Sequence, residues 1–212
     1  MNNDNGQQLA VQTQEEVLPE PLREGNVSIE EALTLRASIR SFTQENLTRE
    51  QVAQLLWAAQ GINRPGTRFR TAPSAGATYP LEMYLAAGRV NGLQPGLYRY
   101  VPGDHTLVKT GDVDLRDEIA LAALGQGQVR EAPAVFIVAA DYDRTARRYG
   151  DRGTRYVHME VGHASQNICL QAITYGLGTV IVGAFDDDQL KSVLGLPANE
   201  NPLIIIPAGK PD

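Results

Sequence analysis

The chain has 212 residues, 42% apolar and 21% charged, which is enough for one sizeable core or two small ones of ordinary globular composition. A net charge of −6 excludes a broad nucleic-acid surface, so an anionic ligand has to be caught locally. A single cysteine, Cys169, excludes an internal disulfide and a cysteine metal cluster.

Residues 1–26 are rich in Asn, Gln, Glu and Pro and carry little periodic apolar content. Such a stretch buries too little to offset its ordering entropy, so a flexible N-terminal arm is expected, loose or ordered only on a partner subunit. It has no basic, apolar, cleavable signal pattern. The longest apolar run, Ala132 to Ala140, is far short of the roughly 20 residues that span a bilayer. No membrane association and a cytoplasmic location are the expectation.

A first helix opens at Ser28, with Glu31 three residues on in a capping-box pattern and Ile29, Ala32 and Leu33 on one stripe. It runs into Arg36-Ala37-Ser38-Ile39-Arg40-Ser41-Phe42. An Arg fork offers a permanently charged, bidentate grip on phosphate. In an extended segment Arg36, Ser38 and Arg40 face one side, and in a helix Arg36 and Arg40 still share a face. Converging like charges ask for an anion between them, and a monophosphate is the expected one. Two surface arginines at a helix end is the alternative.

The second helix has Thr48 and Gln51 as a capping box and Leu47 as a staple onto Val52. Its stripe is Val52, Leu55, Leu56 and Ala59. Trp57 lies off that stripe and is expected to meet another element or another subunit, and Gly61 ends the helix as a C′ residue. Asn63 to Thr71 reads as a mobile basic loop whose arginines are solvated. The next stretch, Ala72-Pro73-Ser74-Ala75-Gly76-Ala77-Thr78-Tyr79-Pro80, is built of small residues that let backbone approach a flat ligand, with a plain turn as the alternative.

Glu82 to Val90, Leu97 to Val101 and Thr106 to Thr110 read as a small antiparallel patch, with Asn91-Gly92 as a hairpin signal. Asp114 caps a helix ending at Gly125. Gly125-Gln126-Gly127 is not a dinucleotide fingerprint, because it follows a helix and lacks the third glycine. Pro133 to Ala140 is an apolar strand buried on both faces. The longest periodic segment, Gly153 to Tyr175, places Val157, Val161, Ala164, Ile168, Ala172 and Tyr175 on one stripe. Gly162 in mid-helix costs about 1 kcal/mol against alanine, so close packing is expected there, with a dimer axis as one source. Cys169 in this segment reads as a buried structural thiol.

His158 and His163 are five residues apart, about 140° around a helix, and diverge, so a zinc site is not expected. No G-x-S-x-G elbow is present for a serine nucleophile. Thr179 to Val182 and Leu203 to Ile206 are further buried strands, and Asp186 to Asp188 start a helix through Leu194, where their charge suits the dipole.

In chain order the motifs are R-A-S-I-R, P-S-A-G-A-T-Y-P-L-E, Y-G-D-R-G-T-R-Y before the long helix, G-L-G-T-V-I-V-G-A-F-D, and a closing G-K-P. This order, from about Ser28 to Pro211, resembles the nitroreductase-like family of flavin enzymes. It looks closest to the branch that includes azoline-oxidising dehydrogenases of ribosomal peptide pathways. The resemblance implies an α+β fold: a three-layer sandwich with a central mixed sheet flanked by helices. Residues 27–212 would form a single FMN-binding domain in an intertwined homodimer, with FMN at the subunit interface. Arg36, Ser38 and Arg40 would hold the FMN phosphate and ribityl chain. Ala37 sits beside them, where many relatives have a second basic residue. Pro73, Ser74, Ala75 and Gly76 would meet the flavin from the partner subunit. Val182, Gly183 and Ala184 would lie along the ring near its N5 edge, with Gly183 where many relatives have glutamate, and Gly209 and Lys210 would close over the phosphate.

The resemblance further implies ping-pong hydride transfer through flavin N5, from NAD(P)H or an organic donor to a nitro, quinone or similar acceptor. Flavin carries that chemistry itself, so no catalytic side chain and no metal are expected. Tyr149 and His158 are candidates to line the substrate side, with core or surface roles as the alternative. An azoline-type dehydrogenase acting on a peptide, and a non-turnover FMN-binding or storage protein, are the alternative functions.

Overall fold

The organising element is β5, Ala134–Ala140, seven residues that are all buried. In this computed structural model, which describes residues 15–212, β5 lies inside a seven-stranded sheet of order β1-β4-β3-β2-β5-β7-β6. The other strands are β1 Glu15–Val17, β2 Leu81–Ala87, β3 Gly96–Val101, β4 Thr106–Gly111, β6 Gly178–Thr179 and β7 Asn201–Gly209. Every pairing between them is antiparallel. The parallel component expected of a mixed sheet comes from two isolated bridges, Ser38 to Thr179 and Leu47 to Val90. The patch read over residues 82–110 is therefore half of a larger sheet, because β5 and β7 come back to pair with it from distant sequence.

Side chains of β5 alternate between two cores, as a strand covered on both faces must. Phe136 and Val138 join the core under α2 (Arg49–Gln60) and α6 (Gly153–Ile173). Val135 and Ile137 join the core under α3 (Arg116–Ala122), α4 (Gly127–Glu131) and α7 (Asp187–Leu194). Helix, sheet and helix make the three layers of an α+β sandwich. No helix among the described residues is long and apolar enough to cross a membrane.

The caps follow the sequence closely. Thr48 and Gln51 close both halves of the capping box of α2, and Leu47 and Val52 are fully buried. Ser28 caps α1 (Ile29–Leu35), and Asp186 caps α7 through the Gln189 amide at 2.8 Å. Gly61 does end α2, but at φ −66° rather than in the left-handed region. Its smallness is needed because a Cβ there would collide with the Trp57 ring. Trp57 itself donates its indole N–H to the Ile62 carbonyl and is covered by Arg23.

Three expectations are corrected, and one helix is added. The expected arm over 1–26 is described only from residue 15, and the rest of that reading lies outside the described residues. From there Glu15–Val17 pairs with β4, Leu18 is buried, and Gln54 holds Leu22 through both its amide and its carbonyl. The stripe of α1 is not a core stripe within the chain: Ala32 is buried, but Ile29 and Leu33 are each 56% exposed. The strand read over 179–182 reduces to β6 and one bridge, Val182 to Ile205. A helix absent from the sequence reading, α5 (Tyr142–Tyr149), follows β5 directly, capped by Asp141 and ended by Gly150 at φ +56°. Its polarity gave no apolar stripe to read.

Candidate functional site

Arg36 terminates α1, and from there the chain is extended. Of the two conformations open to the Arg36–Arg40 segment, the extended one is therefore adopted. The segment is stitched to the sheet edge beyond β6: the Ile39 amide donates to the Thr179 carbonyl at 2.9 Å, and Ser38 bridges Thr179. Ile39 packs so closely on Gly178 that a Cβ there would meet its side chain at 2.7 Å. Arg36, Ser38 and Arg40 then share one side of the extended segment. Among the described residues, neither guanidinium forms a hydrogen bond or ion pair, and Ala37 and Ser38 are exposed.

The C-terminal residues meet the same edge. Gly209 pairs with Gly178, Phe42 bridges Pro211, and the Thr43 amide donates to the Lys210 carbonyl at 2.9 Å. Gly209 has an internal reason to be glycine, since a Cβ would meet Pro133 at 2.7 Å and Phe42 at 3.0 Å. The Lys210 ammonium is paired with Glu45 at 2.9 Å, both side chains being more than half exposed. An exposed pair of that kind contributes at most about 1 kcal/mol, so the ammonium is easily drawn to a stronger anion. Val182, Gly183 and Ala184 continue from the Thr179 contact. Val182 is buried, while Gly183 and Ala184 are exposed. A Cβ at Gly183 would meet nothing within 4 Å, so backbone is open to a flat ligand at that point. Gln126 donates to the Ala184 carbonyl at 3.0 Å and holds the turn.

Pro73 to Gly76 lie elsewhere. Their loop enters β2, whose first residue Leu81 pairs with Ala140 at the far end of β5, whereas Ala134 pairs with Ala208 at the end that carries the arginine segment. Six strand steps of about 3.4 Å separate those ends, roughly 20 Å. The structure thus brings Arg36–Arg40 and Gly209–Lys210 to one end of the sheet, sets Val182 opposite the middle of β5 through Ile205, and leaves Pro73, Ser74, Ala75 and Gly76 at the opposite end.

That loop is strained and clamped. Gly76, Ala77 and Tyr79 have φ of +60°, +53° and +47°, and the two non-glycine residues sit in a region that costs about 1–2 kcal/mol each. Arg148 donates to the Gly76 carbonyl at 3.1 Å, Arg144 donates to the Tyr79 carbonyl at 3.1 Å, and the Tyr79 amide donates to Ser74 Oγ at 2.9 Å. The Thr78 and Thr145 hydroxyls are 2.8 Å apart. A Cβ at Gly76 would strike the Tyr149 hydroxyl at 2.6 Å. Its smallness is demanded by the turn and by α5.

Beneath the loop sits a polar cluster that sequence reasoning missed. Glu160, on α6, is 2% exposed, and burial pushes its carboxyl up to about 7, while the Ser74 hydroxyl and the Arg70 guanidinium pull the other way. Arg70 donates to Gln60 Oε1 at 2.8 Å and lies 4.7 Å over the Tyr79 ring. Burial lowers the Arg70 pKa. The solvated role expected for the arginines of the 63–71 loop therefore fails at Arg70, which bridges back to Ile62 and turns inward. The available signal was Glu160 itself, a carboxylate between Val157 and Val161 on a helix apolar almost all round.

The two side chains named for the substrate side are structurally occupied. His158 Nε2 and the Tyr142 hydroxyl are 2.7 Å apart, and Tyr149 stacks edge-on against Tyr156 at 5.0 Å. Both lie toward the loop end of α6. Cys169 is buried and its thiol is pushed up by burial.

A sequence model described as the nitroreductase family matches residues 33–210. MJ1384 of Methanocaldococcus jannaschii is 46% identical over 184 residues, covering 87% of this chain and 91% of that protein. A solved chain from Anabaena variabilis superposes with a TM-score of 0.83 at 31% identity, over 94% of this chain but 42% of its own length. The microcin B17-processing protein McbC of Escherichia coli is 25% identical over 167 residues, and this chain spans 61% of it.

Proposed function

The chain belongs to the nitroreductase family, and we propose that it is an FMN-dependent oxidoreductase whose cofactor sites are each completed by two copies of the chain. FMN, when bound, supplies the hydride chemistry, which fits a ping-pong exchange between NAD(P)H and a nitro, quinone or related acceptor. The observation that carries the reading is the uncommitted guanidinium pair on an extended segment at the sheet edge. Arg36 and Arg40, with the Ser38 hydroxyl between them, would grip the phosphate, and Lys210 would leave Glu45 to join them. Val182, Gly183 and Ala184 would present backbone to the ring, where Gly183 has room.

A second copy would complete each site. Pro73 to Gly76 enter the sheet at the end opposite the arginines, about six strand steps along β5, which favours their meeting the flavin of a partner chain. Two surfaces on the same protein lack cover: the Ile29, Leu33 and Leu35 face of α1, and the α6 face at Met159 and Gly162. A Cβ at Gly162 would meet nothing within 4 Å in its own chain, so the close packing expected there is not made within the chain, and a second copy would supply it.

The test is the visible spectrum of freshly purified protein, followed by release and identification of the chromophore and anaerobic mixing with NADH and NADPH. Bound FMN that is bleached by a nicotinamide supports the reading. Protein that stays colourless in excess FMN would sink it, and firmly bound FMN that no donor reduces would make the chain a storage protein.

A second reading rests on the likeness to McbC. In it the reduced nicotinamide is replaced by a peptide heterocycle as electron donor. Oxidation of an azoline-bearing peptide by the FMN-loaded protein, followed by mass loss of two hydrogens, separates the two.

A further inference from the structure

A pocket of about 400 Å³ opens beside the clamped loop, away from the residues assigned above to the FMN phosphate. Arg68, Arg70 and Arg144 line it, walled by Ile62, Tyr79 and Gly103. We infer that this pocket is a second anion site, which takes the phosphate group of a small organic molecule on the guanidinium groups of Arg68 and Arg70.

The charge balance points there. In a chain of net charge −6, three arginines share one concavity. Arg144 is already neutralised, by Glu82 at 2.6 Å and Asp141 at 3.4 Å. Arg68, by contrast, has no hydrogen bond or ion pair among the described residues. Arg70 spends one nitrogen on Gln60, but its Nε is buried without a partner. A buried donor left unmade is costly, and more so on a charged group, so the Arg70 guanidinium is under-satisfied within its own chain. The carboxylates that act on Arg70 are Glu82 and Glu160. Glu82 is engaged by Arg144 and Arg99. Glu160 keeps its proton up to about pH 7 and supplies little counter-charge below that.

Chemistry favours phosphate over carboxylate. One bidentate fork satisfies a carboxylate, whereas a phosphate offers three oxygens and accepts two separate forks at once. The volume lies in the range of about 300–1,000 Å³ that holds small organic ligands, so there is room for more than an inorganic ion. The loop that walls the pocket also carries Ser74 to Gly76, so occupancy here would stiffen the segment proposed to cover the flavin.

The full chain carrying Arg36→Ala and Arg40→Ala is titrated calorimetrically with inorganic pyrophosphate, and with oxalate as the carboxylate arm. Those substitutions remove the other proposed phosphate grip, so the remaining heat reports this pocket. Pyrophosphate is expected to bind in that background. Arg68→Ala, on an exposed loop, is expected to weaken it at least tenfold, and Arg70→Lys, which keeps the charge but loses the fork, to weaken it severalfold. Three outcomes overturn the inference: no pyrophosphate binding at millimolar concentration, binding indifferent to Arg68→Ala, or oxalate bound as tightly as pyrophosphate. None of these measurements uses FMN, so a colourless protein would remove the flavin reading and leave this result standing.

Discussion

Glu160 illustrates how a single residue reports its surroundings. Its carboxyl is lifted from 4.5 to about 7 by burial, against the pull of Ser74 and Arg70. Arg70 in turn faces Glu82, Tyr79 and Tyr100. The folded chain therefore holds a proton that the unfolded chain has released between those pH values. Stability is fully supported below about 4.5 and declines as pH rises to about 7, by roughly 3–4 kcal/mol in total. Urea melts at pH 5 and pH 8 should show that decline, and Glu160→Gln should flatten it. An unchanged slope in the variant would remove the assignment. Arg36 makes a separate prediction. Arg36→Ala is expected to weaken FMN binding by about 1 to 3 kcal/mol, the range of a hydrogen bond to a charged group, read by fluorescence titration of apoprotein. Retention equal to the parent would end the phosphate role. The arginine pair was readable from the chain because it is local. The inward turn of Arg70 was not, because only the packing of its loop against Gln60 and Tyr79 decides it.

Among the elements, α2 is the one whose sequence and structure agree most closely. Cap, staple and stripe recur, because each depends on residues within a few turns of one another, while the stop at Gly61 is set by the Trp57 ring rather than by a left-handed turn. Thr48→Ala should cost about 1 kcal/mol of stability, measurable as a shift in denaturation midpoint. α6 behaves differently. Its buried stripe was legible, yet Gly162 faces outward with free space around it. Gly162→Leu removes a helix-interior glycine at a position where an added Cβ meets no atom of its own chain within 4 Å. The variant is thus expected to be at least as stable as the parent when monomeric, by up to about 1 kcal/mol. If a second copy packs there, sedimentation should instead show a weakened dimer, and an unperturbed dimer would free that face from the interface. α5 shows the opposite failure, since a short polar helix has caps but no periodic face to announce it.

For the whole molecule, the division of the candidate site between two ends of one sheet is what makes its assembly testable. One chain variant would carry Arg36→Ala and Arg40→Ala. The other would carry Gly76→Val, which is strained at φ +60° and collides with Tyr149. Each homodimer is expected to lose FMN, whereas the mixed dimer restores one intact site of two. Half-loading of co-expressed, dual-tagged protein would support the arrangement. Failure of the mixture to bind any FMN, with dimers formed, would refute it.

By itself the sequence determined the caps of α1, α2 and α7, the apolar strand β5, the buried thiol and the order of motifs that carries the family, because those depend on local spacing and on side-chain chemistry. Tertiary structure alone decided that β5 and β7 extend the 82–110 patch into one sheet, that Arg70 and Glu160 share a buried cluster, and that Pro73 to Gly76 stand at the opposite end from the arginines. Strand pairing and burial are contacts between residues far apart in the chain. No local pattern encodes which end of a sheet a loop will reach until the register of its strands is set.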